Sequence, residues 1–211
     1  TPMPDLSHLT AFVLAAVVLA AIRGPGMLYV LARSLGGGRE VGLRSALGTG
    51  VGGGLQVVAA AAGLSALIAA SATAFAVAKY AGAAYLVWLG ISAWRSATEP
   101  PPSVSAVAGS DRHAFRQGVL TEALNPKTAL FFLTFLPQFC QPENGPVGLQ
   151  IVVLGTASVL LNTGADIIVA CAAGPIGRRL AAHTRAWRMQ RRATGGLLVG
   201  LGILAAVADR R

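Results

Sequence analysis

The chain has 211 residues, enough for one moderate soluble domain, yet 54% of them are hydrophobic and only 12% are charged. Ordinary globular chains are about 25% charged, and no soluble fold of this length hides so many Ala, Leu and Val side chains. Disorder is excluded by the same composition, since disordered chains are polar and highly charged. A net charge of +9 invites a nucleic-acid reading. The basic residues, however, stand between long apolar runs, where they act as membrane-topology signals rather than as a water-exposed basic face. The sequence is that of an integral membrane protein, and no nucleic-acid partner is expected.

A bilayer core needs about 20 apolar residues per helix. Six runs qualify, at residues 9–35, 47–70, 75–94, 115–139, 147–173 and 193–208. None alternates in polarity as a barrel strand would. The predicted fold is an all-α, polytopic membrane helix bundle of about six transmembrane helices. The last run is short and extends towards Arg191 or the tail by snorkelling. The first resembles the apolar part of a cleaved signal peptide in length. Residues 1–8, however, carry Asp5 and no Lys or Arg, and the apolar pattern resumes directly after Arg23-Gly24-Pro25-Gly26. A retained first span, broken in its middle, is expected.

Orientation follows from Lys and Arg in the loops. One side collects Arg33, Arg39 and Arg44, then Arg95, Arg112 and Arg116, then Arg178, Arg179, Arg185, Arg188, Arg191 and Arg192; the other has only Lys79, Arg210 and Arg211. Twelve against three puts the basic loops in the cytoplasm and both termini outside. These arginines orient the chain and touch anionic headgroups, so none is nominated as a ligand. Trp88, Trp94 and Trp187 read as interface anchors.

Residues 96–112, with Pro100-Pro101-Pro102, form the one linker-like stretch. It divides a single transporter domain (1–211) into repeat one, about 5–95, and repeat two, about 113–208. Each half opens with a helix interrupted by proline: Arg23-Gly24-Pro25-Gly26 in span one and Asn125-Pro126-Lys127 in span four. Three spans per half send the second half into the membrane from the opposite side. That is a 3+3 inverted repeat, a construction used by secondary transporters.

A mid-helix proline removes a backbone donor and clashes with the preceding turn. In hydrocarbon, such a break survives only against protein or a water-filled cavity. Two breaks at corresponding positions, each beside a basic residue, point to a solute site lined by Arg23, Gly24, Pro25, Asn125, Pro126 and Lys127. Four ionisable residues fall inside spans: Arg23, Glu122, Lys127 and Asp166. A charge at bilayer depth costs about 2.5–3.5 kcal/mol on insertion scales, so such residues pair or mark a pathway. Arg23 is expected to pair with Asp166 or to meet a substrate carboxylate. Asp166, with Glu122 as its rival, is the candidate proton carrier, because arginine stays protonated and the histidines lie outside the span centres. Gln56 is a buried amide that either glues helices or faces the cavity.

Other signals read as packing. Gly48-Thr49-Gly50-Val51-Gly52-Gly53 fits a dinucleotide-binding pattern, but no strand precedes it. Close helix approach through Gly48/Gly52, Gly50/Gly54 and Gly196/Gly200 explains these glycines. Such faces pack helices within one chain or between the two chains of a homodimer. Cys140 and Cys171 form no redox pair, and His8, His113 and His183 are too scattered for a metal site. No catalytic constellation, metal or cofactor is expected, and the protein is not expected to be an enzyme.

Taken in order, these residues resemble the LysE/RhtB family of amino-acid exporters. The first signature is Gly24-Pro25, then Leu28 to Leu35 and Gly37-Gly38-Arg39. Similar too are Gly42-Leu43, Ala46-Leu47-Gly48, Gly63-Leu64, Lys79 to Leu86 and Trp88-Leu89-Gly90. The second is Phe115-Arg116-Gln117-Gly118, Leu124-Asn125-Pro126-Lys127, Phe131-Phe132 and Leu136-Pro137-Gln138-Phe139. The resemblance implies a bacterial inner-membrane exporter moving amino acids or related solutes outward in exchange for protons, with alternating access. The family's usual Pro-Gly-Pro becomes Arg23-Gly24-Pro25, the acidic or amide residue that commonly follows becomes Gly26, and a frequent histidine of span two becomes Gln56. Export of another small solute or a metal ion is the alternative within transport. A membrane thiol-redox carrier ranks lower, because both cysteines belong to the second half.

Overall fold

The computed structural model describes residues 24–70, 72–98, 113–172 and 184–207, together with Thr10, Phe12, Val13, Ala16, Val17 and Ala20. The described residues contain no strand. They form α1 (Pro25–Ala70), α2 (Ala72–Arg95), α3 (Ala114–Ala123), α4 (Pro126–Thr134), α5 (Val147–Ala172) and α6 (Thr184–Val207), with short 3-10 turns at Ser96–Thr98, Leu136–Phe139 and Pro142–Asn144. The positions described between 10 and 20 are also helical. The all-α bundle expected from the sequence is the fold observed. Two stretches among the described residues, Pro25–Gly63 and Val147–Ala172, are long and apolar enough to cross a bilayer.

α1 is folded into two arms at Gly38, whose φ of 83° and ψ of −178° interrupt an otherwise helical run. That conformation is essentially restricted to glycine, because a β-carbon collides with the backbone there. The arms close on each other: Ser34 fills the space beside Gly42, and Val30 and Ala46 share one buried cluster with Ala170 of α5. Both pairs are symmetric about Gly38, as an antiparallel hairpin requires. The sequence reading placed a loop here. Instead the helix runs on through Gly36 and Gly37, and Arg33 is not a loop residue: it is buried on the first arm, at 3% exposure. Arg39 and Arg44 are exposed, and Arg44 pairs with Glu40 at 2.6 Å.

α1 packs along α3 and α5, and α2 lies along α6. Small residues set both contacts. A β-carbon on Gly48 would overlap the carbonyl of Phe115, and one on Gly52 would overlap that of Val119, so this face of α1 meets the backbone of α3. The opposite face presents Gly50 to Thr163 and Gly53 to Val159 of α5, while Gly54 faces open space. On α6 the close approach uses Gly195, against Gly90 and Trp94, and Gly202, against Ala83 and Val87. Of Gly196 and Gly200, expected to serve this purpose, Gly196 lies at ordinary van der Waals distance from Trp94 and Gly200 has nothing beside it, because the seven-residue spacing of 195 and 202 is what faces α2 most closely. Without water, these contacts hold by van der Waals fit rather than by the hydrophobic effect.

The apolar centre is a run of rings. Phe131 and Phe135 stack with centroids 4.9 Å apart, Phe135 meets Phe139 at 4.9 Å, and Phe12 meets Phe139 edge-on at 5.4 Å. Leu136, Ile151 and Leu154 complete the cluster. It anchors α4 and the turn after it against α5. The segment 126–139 is thereby fixed in place even though the helix before it is broken.

A substitution pair tests the hairpin. Gly38→Ala should cost ~1–3 kcal/mol through backbone strain, whereas Gly36→Ala, at a helical position facing open space, should be neutral or slightly stabilising. Thermal unfolding of the detergent-solubilised variants measures the difference. Equal melting temperatures would mean that the arms do not depend on the backbone at Gly38.

Candidate functional site

The two breaks are built alike. Leu28 N–H donates to the Gly24 carbonyl at 3.0 Å, and Ala129 N–H donates to that of Asn125 at 3.1 Å. Pro25 and Pro126 thus each occupy the first position of a new helix. A proline there loses nothing, since the first-turn N–H has no intrahelical acceptor and the ring presets φ. These prolines start helices rather than bend them. Span four is accordingly two helices, α3 and α4, joined through Leu124 and Asn125.

Asn125 organises the second break. Its Oδ1 accepts from the Lys127 backbone N–H at 3.0 Å, capping α4, and its Nδ2 donates to Glu122 Oε2 at 3.0 Å. Thr128 Oγ1 donates to Glu122 Oε1 at 2.6 Å, so both oxygens of this carboxylate are held. The carbonyls at the broken end are met from α1. Gln56 Nε2 donates to Glu122 O at 2.8 Å, Asn125 O at 3.0 Å and Ala123 O at 3.1 Å. An amide nitrogen has two hydrogens, so these three carbonyls share them.

The breaks touch. A β-carbon on Gly24 would lie 3.1 Å from Lys127 Nζ, and one on Gly26 would overlap Glu122 Oε2. The side chain missing at Gly26 leaves the space that the Glu122 carboxylate fills. Asp166 of α5 is buried, and Thr49 Oγ1 lies 2.9 Å from its Oδ2. Lys127 is within electrostatic reach of both Glu122 and Asp166. A cavity of about 40 Å³ lies among these groups, lined by Glu122, Lys127, Thr128, Asp166, Thr49 and Asn162. It has room for a water or two. A larger cavity of about 310 Å³ adjoins the same breaks, and Gly24, Asn125 and Lys127 line both.

Of the residues singled out in the sequence, Gly24, Glu122, Asn125, Lys127 and Asp166 line the polar cavity, and Pro25 and Pro126 line the larger one. Gln56 belongs to neither lining, its amide being taken up by the broken end of α3. Arg23, and with it the expected Arg23–Asp166 pair, lies outside the described residues. Sequence reasoning missed Thr49, Thr128 and Thr163. The available signal was a set of hydroxyls inside apolar spans, but hydroxyls often bond to their own helix, as Thr134 does to Leu130 O at 2.6 Å. Among the described residues, no three His, Cys, Asp or Glu gather as a metal site, and neither Cys140 nor Cys171 is in a disulfide.

A family model described as LysE type translocator matches residues 17–209. The chain belongs to this family. Among the similar proteins is an uncharacterized membrane protein of Vibrio cholerae, 31% identical over 97% of this chain and 98% of that protein. A homoserine/homoserine lactone efflux protein of Salmonella typhimurium is 29% identical, with 94% and 95% covered. A leucine efflux protein of an Enterobacter strain is 28% identical over 72% of each chain. No solved structure matches. The LysE-type chain is therefore a membrane protein of an exporter family.

The role of Gln56 predicts an asymmetry between buried amides. Gln56→Leu leaves unpaired the Ala123 carbonyl, the one of the three that no backbone N–H meets, at about 1–3 kcal/mol for one unsatisfied group. Asn162→Leu removes an amide that serves only Ser158 O within its own helix and should cost less. Melting temperatures of the two purified variants decide it, and equal losses would remove Gln56 from this role.

Proposed function

We propose that this LysE-type protein exports amino acids or closely related solutes across the bacterial inner membrane, by proton antiport with alternating access. The observation that carries this reading is the meeting of two helix starts, at Gly24-Pro25 and Asn125-Pro126, around Lys127, Glu122 and Asp166. A helix N-terminus presents unpaired N–H groups and the positive end of the macrodipole. With the Lys127 ammonium these favour a substrate carboxylate, while Glu122 offers an anionic partner to an α-amino group. The relatives described as homoserine and leucine efflux proteins support the same solute class.

Asp166 is the proton site in this reading. Thr49 Oγ1 lies 2.9 Å from the Ala46 carbonyl and 2.9 Å from Asp166 Oδ2. A hydroxyl has one proton and cannot fully serve two acceptors. With a proton on Asp166 the carboxyl donates to Thr49, Thr49 donates to Ala46 O, and every group is satisfied. Loss of that proton leaves a buried carboxylate with Lys127 as the nearby cation, a different arrangement of the same groups. A cavity of about 40 Å³ holds a water or two beside these groups.

The equivalent pairing of spans two with five and three with six, seen as α1 with α5 and α2 with α6, supports the inverted repeat. The basic loops then face the cytoplasm and both termini the outside. The lipid bilayer and the amino acid are the partners of this reading, and glycine faces left open at Gly54 and Gly200 give a homodimer somewhere to form.

Purified protein in liposomes carrying an imposed pH gradient tests the mechanism. Wild type should accumulate a labelled neutral amino acid against its gradient. Asp166→Asn should abolish that accumulation and keep counterflow exchange, since the shape is preserved and only the charge is lost. An Asn variant that still concentrates substrate from a pH gradient would transfer the proton role to Glu122.

A further inference from the structure

The two cavities at the breaks differ in size and in chemistry. The smaller holds the carboxylates Glu122 and Asp166, hydroxyls and the Asn162 amide, in a space for water. The larger, about 310 Å³, is walled by Leu28, Leu89, Ala93 and Leu198 from α1, α2 and α6, and among the described residues no Asp or Glu lines it. Its volume falls at the lower end of those that hold small-molecule ligands. Lys127, Gly24 and Asn125 line both, so the two cavities meet there. At the other end Arg191 of α6 donates to the Ser96 carbonyl, tying α6 to the turn after α2.

We propose that the larger cavity receives the side chain of the exported amino acid and selects neutral aliphatic ones. This rests on the export reading above and adds the substrate class. One molecule then spans both environments. Its carboxylate lies at Lys127 and the paired helix starts, its α-ammonium faces Glu122 across the gap at Gly24 and Asn125, and its side chain packs on Leu28, Leu89, Ala93 and Leu198. A cationic side chain in the same place would sit beside the like charges of Lys127 and Arg191, so lysine and arginine are disfavoured by charge. Side-chain selection and proton binding thereby reside in separate chambers.

The experiment is counterflow in proteoliposomes with leucine, methionine, alanine and lysine, for wild type, Ala93→Leu and Leu89→Ala. Wild type should exchange leucine and methionine well above lysine. Filling the cavity with Ala93→Leu should lower the leucine-to-alanine ratio at least ~10-fold, the smallest effect expected of a change in hydrophobic pocket size. Enlarging it with Leu89→Ala should raise the same ratio, and this variant carries the test if Ala93→Leu fails to fold. Lysine exchanged as fast as leucine would overturn the inference and leave the export reading standing. So would an unchanged ratio in active variants, and tightly bound phospholipid found alongside it would assign the cavity to a lipid chain. No exchange of any amino acid by folded wild type would overturn the export reading itself.

Discussion

A carbonyl that loses its helical partner inside a bilayer has no water to turn to. At the second break that carbonyl is Ala123's, and Gln56, reaching across from α1, donates to it and to the neighbouring carbonyls of Glu122 and Asn125, which backbone N–H groups also meet. Everything at the site depends on that interaction. It holds the end of α3 in register with the start of α4, and so sets where Asn125 caps, where Lys127 emerges and where the Glu122 carboxylate points. The first break is positioned in turn by the second, through Gly24 against Lys127 and Gly26 against Glu122.

Close helix approach makes the cross-chain reach possible. Gln56 lies one turn beyond Gly52, whose missing side chain lets α1 rest on the backbone of α3 at Val119 and Ala123. With a bulkier residue there the helices would separate, and a side chain of glutamine's length would fall short of the break. Glycine in these spans is thus a distance constraint, and the polar bond is its consequence. Phe131, Phe132 and Phe135 supply the opposing constraint, anchoring α4 in the apolar cluster so that its first turn stays beside the cavity.

Three ionisable groups surround a space for one or two waters. At such short range and in low dielectric their charges are strongly coupled. A proton added to one alters the field at the others, as does a charge brought beside them. Hydroxyls and amides hold the carboxylates: Thr49 at Asp166, Thr128 and Asn125 at Glu122. These neutral partners fix the geometry without adding charge.

The sequence by itself determined the membrane class, the all-α fold, the two interrupted spans and the ionisable residues within them. These follow from transfer free energies and local backbone chemistry, which the residues carry wherever the chain folds: a proline cannot extend a helix, and a charge in an apolar run stands out. The same local signals misplaced other features. Arg33 looked like a loop arginine because the apolar run ends at Leu35, yet the helix turns only at Gly38. Gly196 and Gly200 showed the packing spacing, yet Gly195 and Gly202 meet α2. Gln56 was legible as a buried amide, but its acceptors lie 66 to 69 residues away. Hydropathy is nearly uniform around α1, α2 and α5, so along them it does not indicate which face meets which neighbour. That phase is decided when Gly48 meets Gly118 and Gly90 meets Gly195. Only then do Glu122, Lys127 and Asp166, spread over three helices, come to line one cavity.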